Sequence, residues 1–135
     1  MAKVKLAEIA FARSGDKGDR SDLGVFAPAG PHIDEVYAVL EREVTAERVK
    51  AHFGDFVRGE VTRYPAPNVH GLKFVMEEAL AGGGPRSLRA DNLGKALGGA
   101  VLRLEIEVPD ELLAKLGPRP APLRDPYATA AWRVD

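Results

Sequence analysis

Pro67-Asn68-Val69-His70-Gly71-Leu72-Lys73-Phe74-Val75-Met76-Glu77-Glu78-Ala79-Leu80 is the stretch on which the architecture turns. Leu72, Val75, Met76, Ala79 and Leu80 recur at helical spacing, Asn68 stands where an N-cap belongs, and Gly82-Gly83-Gly84 supplies a stop. The spacing predicts a helix, and a single helix joins the strands on either side of it as a parallel pair. Upstream, Phe56 to Tyr64 reads as a strand broken by Pro65 and Pro67. Downstream, Ala100, Leu102, Leu104, Ile106 and Val108 alternate with Arg103, Glu105 and Glu107, the pattern of a strand with one dry face and one wet face.

Further out, Val4 to Ala12 reads as a strand apolar on both faces, which implies two-sided burial or a bulge. Leu23 to Ala27 reads as the next strand and ends at Pro28, Gly30 and Pro31. Ile33, Val36, Tyr37, Leu40 and Val44 form one helical stripe. Thr45 then caps a shorter helix with Glu47 in its first turn and Val49 and Phe53 inward. A last helical turn is expected over Asp110 to Leu116.

This order predicts an α+β fold, a two-layer sandwich of a small four-stranded mixed sheet with helices on one face. Residues 1–117 form the domain. The proline-rich tail, 118–135, runs extended over the surface or onto a neighbouring subunit, and its Tyr127 and Trp132 need cover. The first two strands pair antiparallel. If one main helix and one short oblique helix join the second strand to the third, residues 13–20 and 86–95 meet at one sheet edge.

The chain has 135 residues, 45% hydrophobic and 29% charged, with a formal net charge of -1. That balance describes an ordinary globular domain and makes no case for nucleic acid or an anionic membrane as partner. Charges interrupt every apolar run before bilayer length, no signal-like apolar region opens the chain, and cysteine is absent. A cytoplasmic protein is expected. Glutamine is also absent and asparagine occurs only at 68 and 92, a bias shared by thermophilic proteins and by high-GC codon usage.

Two segments carry the chemistry. Arg13-Ser14-Gly15-Asp16-Lys17-Gly18-Asp19-Arg20 and Ser87-Leu88-Arg89-Ala90-Asp91-Asn92-Leu93-Gly94-Lys95 each pack cations, carboxylates, a hydroxyl and glycine beside an apolar run. Such loops present backbone N–H groups and charge to an anion, with Asp16 or Asp19 available to move a proton. The same residues also suit a wide turn, or an ion-pair brace such as Asp16 with Arg89. Both accounts stay open. Neither Walker nor dinucleotide-fold glycine spacing is present. Asp16, Asp19 and Asp22 recur every third residue but are interleaved with Lys17 and Arg20, so no metal site is read there. His32 and His52 read as capping or solvated, and His70 as the histidine best placed to line a pocket. Arg63-Tyr64 reads as a further anchor, or as packing plus a surface charge.

Ala12 to Asp19 followed by Leu23-Gly24-Val25 resembles the opening of the small domain of the acyclic terpene utilization protein A (AtuA) family. Thr45-Ala46-Glu47-Arg48-Val49, Arg63-Tyr64, Pro67-Asn68, Phe74-Val75, Gly82-Gly83-Gly84, Ser87-Leu88, Asp91 and Gly94-Lys95 extend the likeness over nearly all of 4–108. Asp22 stands where that family often has asparagine. The resemblance implies a ferredoxin-like fold, here a variant or permuted form, and a setting in branched acyl-CoA or terpenoid catabolism. No cofactor is expected. Its partners would be a separately encoded large subunit, further copies of the chain in a homo-oligomer, and an anionic small molecule. Two functions are read from the two charged segments in that setting. In the first, an accessory domain uses Arg13, Lys17, Arg89 and Lys95 as cations, Asp16, Asp19 and Asp91 as acceptors, and Ser14, Gly15, Gly18 and Ser87 to complete a ligand or docking site. In the second, a small lyase or hydratase uses Asp16 or Asp19 as general base and Lys17 to stabilise an enolate.

Overall fold

Seven-residue strands on either side of a tight turn open the main sheet. In the computed structural model, which describes residues 1–17, 19–79 and 97–117, with Asp16 and Lys17 by backbone only, β2 (Phe11–Lys17) and β3 (Arg20–Phe26) pair antiparallel. Phe11 faces Phe26 at one end and Lys17 faces Arg20 at the other. The ionic segment 13–20, expected as a wide loop, is therefore mostly strand. Gly15 is not a turn glycine. A Cβ there would sit 2.8 Å from the Asp22 carboxylate, which would have to turn aside to admit it. Ser21, fully buried, donates its hydroxyl to the Gly15 carbonyl at 2.8 Å.

The helix expected over residues 68–80 is instead a strand. β4 (Val61–Ala66) turns back through a 3₁₀ turn at Pro67–Val69 and a left-handed His70 (φ 49) into β5 (Gly71–Met76). Leu72, Phe74 and Met76 supply a two-residue period that overlays the helical one, and all three are buried. β5 fits between β3 and β4, giving the order β2-β3-β5-β4 with every pairing antiparallel. The sheet is thus not mixed. Pro65 does not end β4, because an edge strand has no ladder bond to lose on its outer side. β3 and β4 run parallel across β5, and the intervening helices make a split βαβ unit, the ferredoxin-like signature. The remaining position, beside β3, is filled by β2, which comes from the N-terminal side. This is a permuted arrangement.

The run expected as one strand from Val4 to Ala12 splits into β1 (Ala2–Lys5), a 3₁₀ turn (Leu6–Glu8) and the start of β2. Its two apolar faces thereby serve two different partners. The final alternating run also divides. Leu97–Val101 forms the short α3, whose Leu97 and Val101 are buried and whose Gly98 packs against β2. β6 (Glu105–Val108) leaves the main sheet and pairs antiparallel with β1, with Ile106 and Val108 inward.

Helices α1 (Ile33–Glu43) and α2 (Ala46–Phe53) cover the sheet face that carries Leu23, Val25, Leu72, Phe74 and Met76. Thr45 caps α2, its hydroxyl accepting from the Arg48 N–H at 3.2 Å. Arg63 reaches from β4 to the Glu41 and Val44 carbonyls (2.7 and 3.1 Å), a cation on the C-terminal end of α1. Helix α4 (Asp110–Leu116) follows β6.

Charged side chains near the end of α1 hold the β1–β6 ribbon in place. Arg48 donates to the Glu43 and Glu105 carbonyls (2.8 and 2.7 Å), and Arg42 to the Glu107 carbonyl at 3.0 Å. The Glu43 carboxylate accepts the Glu107 N–H at 2.7 Å.

One glycine outside the strands is tightly constrained. Gly59 donates its N–H to the Glu77 carbonyl, and a Cβ on it would lie 2.7 Å from that oxygen and 2.8 Å from its carbon. Backbone cannot swing aside as a side-chain tip can. Gly59→Ala is expected to cost about 1–3 kcal/mol in denaturant unfolding. Gly99→Ala, with open space around it on α3, is expected to be neutral or slightly stabilising.

Candidate functional site

With its helices on one side, the four-stranded sheet leaves the other side open. Strand alternation places three rows of residues there. Phe11, Phe26, Gly71 and Ala66 form one row, and Arg13, Gly24, Lys73 and Tyr64 the next. Gly15, Asp22, Val75 and Thr62 form the third row. A trough of about 420 Å³ lies over this surface, lined by Arg13, Asp22, Gly24, Phe26, Val69 and Lys73 among others.

The glycines explain its shape. A Cβ on Gly24 would meet the Phe26 ring at 2.6 Å, and one on Gly71 would meet another edge of that ring at 2.5 Å. The Phe26 ring therefore lies down over both glycines instead of standing up from the sheet. Phe11 stacks on it with ring centroids 5.3 Å apart and planes 23° from parallel. Phe11, Tyr64 and Val69 are among the exposed large apolar side chains, so the trough is rimmed by apolar as well as charged groups.

The charge arrangement is asymmetric. Lys73 pairs with Asp22 at 3.3 Å. Arg13, exposed on the same row, has no ion pair among the described residues. Gly24 separates Arg13 from Lys73, which sets their Cα atoms two strand spacings apart, about 10 Å. Among the described residues no group of three or more metal-ligating side chains converges.

A family model described as the AtuA ferredoxin-like domain matches residues 4–107. The chain belongs to that family. Searches of curated proteins and of solved structures give no significant match.

The AtuA ferredoxin-like domain brings together only part of the site read from its sequence. Arg13, Gly15 and Asp22 share the open face. Ser14 lies on the opposite, core-facing side, where its hydroxyl accepts the Gly98 N–H at 3.1 Å. Asp16 and Lys17 continue β2, opposite Ser21 and Arg20. Asp19 sits in the turn, and its carbonyl accepts the Ala79 N–H at 2.9 Å. Gly18, Ser87, Arg89, Asp91 and Lys95 lie outside the described residues. Two described residues beyond the hairpin contact it: the Ala79 N–H donates to the Asp19 carbonyl at 2.9 Å, and the Gly98 N–H donates to the Ser14 hydroxyl at 3.1 Å.

Each histidine of this AtuA-type domain contacts a partner outside the trough. His70 contacts Asp34 at 2.7 Å and meets the Tyr37 ring edge-on, tying the β4–β5 turn to α1 and not to a pocket. His52 contacts the Ala100 carbonyl, and His32 pairs with Glu35. Phe26, Gly24, Gly71 and Lys73 were missed in the sequence, because a helix over 68–80 places Lys73 away from β2. The available signal was a glycine inside each of two strand-like runs, the mark of a close approach.

Proposed function

We propose that this AtuA ferredoxin-like domain is an accessory unit that binds a small organic anion on the open face of its sheet. The carrying observation is Arg13: a guanidinium without an ion pair among the described residues, at the rim of a trough whose floor is the Phe26 ring. Guanidinium recognises carboxylate through paired N–H donors, and the aromatic floor suits a short branched acyl chain. The family's setting supports branched carboxylates or their coenzyme A thioesters as ligands. It also supports a separately encoded AtuA-like large chain as the partner that receives them. No helix among the described residues is long and apolar enough to cross a membrane, and the cysteine-free sequence suits a reducing cytoplasm.

The test is an NMR titration with a branched short-chain carboxylate and with its coenzyme A thioester. Saturable shifts are expected at Arg13, Gly24, Phe26 and Lys73, with Arg13→Ala weakening binding about 10- to 100-fold, the worth of one charge-assisted hydrogen bond. Binding that is unaltered in Arg13→Ala, or shifts confined to the helical side, would overturn the reading. Turnover of the thioester that is lost in Asp16→Asn would replace it with the lyase or hydratase.

A further inference from the structure

A second concavity, about 540 Å³, lies where the 3₁₀ turn after β1, the segment after β3 and the end of α4 converge. Ile9, Phe11, Pro28, Pro31, Ile33 and Leu116 give it apolar walls. Phe11 and Leu116 are 46% and 37% exposed, both large apolar side chains left partly open to water. Nothing among the described residues covers them.

The chain itself points to the occupant. Gly117 lies in the wall of this groove and ends α4 with φ 69 and ψ -176, a backbone state open to glycine. From that point eighteen residues follow, beginning Pro118-Arg119-Pro120-Ala121-Pro122-Leu123. Alternate prolines favour the extended polyproline II form, which loses little entropy on docking and suits apolar grooves. At ~3.1 Å per residue, six residues reach ~19 Å from Gly117.

Charge complements shape. The groove's anions are Glu8 and the neighbouring Glu35; Lys115 and His32 already pair with Glu35. Glu8 has no ion pair among the described residues. Arg119, two residues past Gly117 in the sequence, carries the complementary charge. We propose that residues 118–123 of the same chain occupy this groove, with Arg119 against Glu8 and the prolines and Leu123 over Phe11 and Ile33. Covalent attachment favours this segment over a separate molecule, because it raises its effective concentration to about the millimolar range.

The absence of cysteine permits a clean test on the full chain. A nitroxide carried on Arg124→Cys is expected to broaden amide signals of residues 8–11 and 29–33, most of whose intensity is lost, and to spare those of 62–66. The effect should not change on dilution, nor appear when labelled protein is mixed with an isotope-enriched unlabelled copy. Glu8→Arg should abolish the selective broadening, and adding Arg119→Glu should restore it. Broadening seen in the mixed sample would assign the tail to a second copy and overturn docking within one chain. Uniform or absent broadening would overturn it outright. Failure of the charge reversal to act would refute the assigned contact.

Discussion

Phe74→Ala is expected to remove about 3–5 kcal/mol of stability, the cost of deleting a large aromatic side chain from a closed core. Phe74 is 0% exposed at the centre of β5, opposite Leu23 on one neighbouring strand and Arg63 on the other. Domains of this size hold about 5–15 kcal/mol in total, so the variant sits near the edge of folding. Calorimetry should show a fall in Tm on the order of 10–25 °C. The informative comparison is with the next residue. Val75 lies on the open face and is half-buried, so Val75→Ala should cost far less. A helix over 68–80 would reverse the ranking, since Val75 then joins the apolar stripe and Phe74 leaves it. The pair of variants therefore tests the strand assignment as well as the core. Lys73→Ala, also on the open face, is expected to stay within about 0.5 kcal/mol of the parent protein.

How far the fold could be read from the chain depended on whether the deciding interactions were local. The two helices after β3 were legible because their stripes and the Thr45 cap lie within a few residues of each other. The parallel relation of β3 and β4 was conditional on one main helix and one short oblique helix joining them; pairing of both strands with β5 fixes it. Residues 71–76 were not. Leu72 and Met76 belong to both periods, and only the vacant slot between β3 and β4 selects the strand. That slot is made in part by β3, which lies far away in the sequence. The same holds for Ala100 to Val108, whose alternation is real at Glu105–Val108 but whose partner is β1, not the main sheet.

The site follows the same logic. Arg13, Gly15 and Asp22 could be marked in advance because charge and glycine cluster in sequence. Lys73, Gly71 and Phe26 could not, because they join Arg13 only through the register of β3 against β5. Hairpin pairing also changed the meaning of residues that had been marked. Ser14 alternates onto the core face, and Asp19 acts through its backbone carbonyl. The ionic loop is mostly strand, and of its exposed cations Arg20 pairs with Glu77 while Arg13 has no ion pair among the described residues and carries the binding proposal.

Glu43 links acidity to the attachment of the β1–β6 ribbon. Its side chain is 15% exposed, and burial pushes its carboxyl upward. The Glu107 N–H and the Arg42 and Arg48 side chains outweigh that, so the group is held below its usual value of 4.5. A carboxyl lowered on folding binds protons more readily when unfolded. Its contribution is therefore complete above pH 4.5 and disappears as pH falls through the lower, folded-state value. Glu43→Gln keeps an oxygen for the Glu107 N–H but removes the charge from Arg42 and Arg48. It is expected to cost about 1.5–3 kcal/mol at pH 7, the range for hydrogen bonds to a charged group. That difference should hold steady down to about pH 5 and shrink below the usual carboxylate value. Glu35, lowered by its bond to Lys115 and titrating in the same range, is present in both proteins and cancels in the comparison. Urea unfolding of the two proteins from pH 3 to pH 7 measures this directly. A gap that is independent of pH would mean that shape, not charge, makes Glu43 matter. A gap that widens in acid would carry the sign of a carboxyl raised on folding, and would detach the ribbon from the ionic contacts assigned to it.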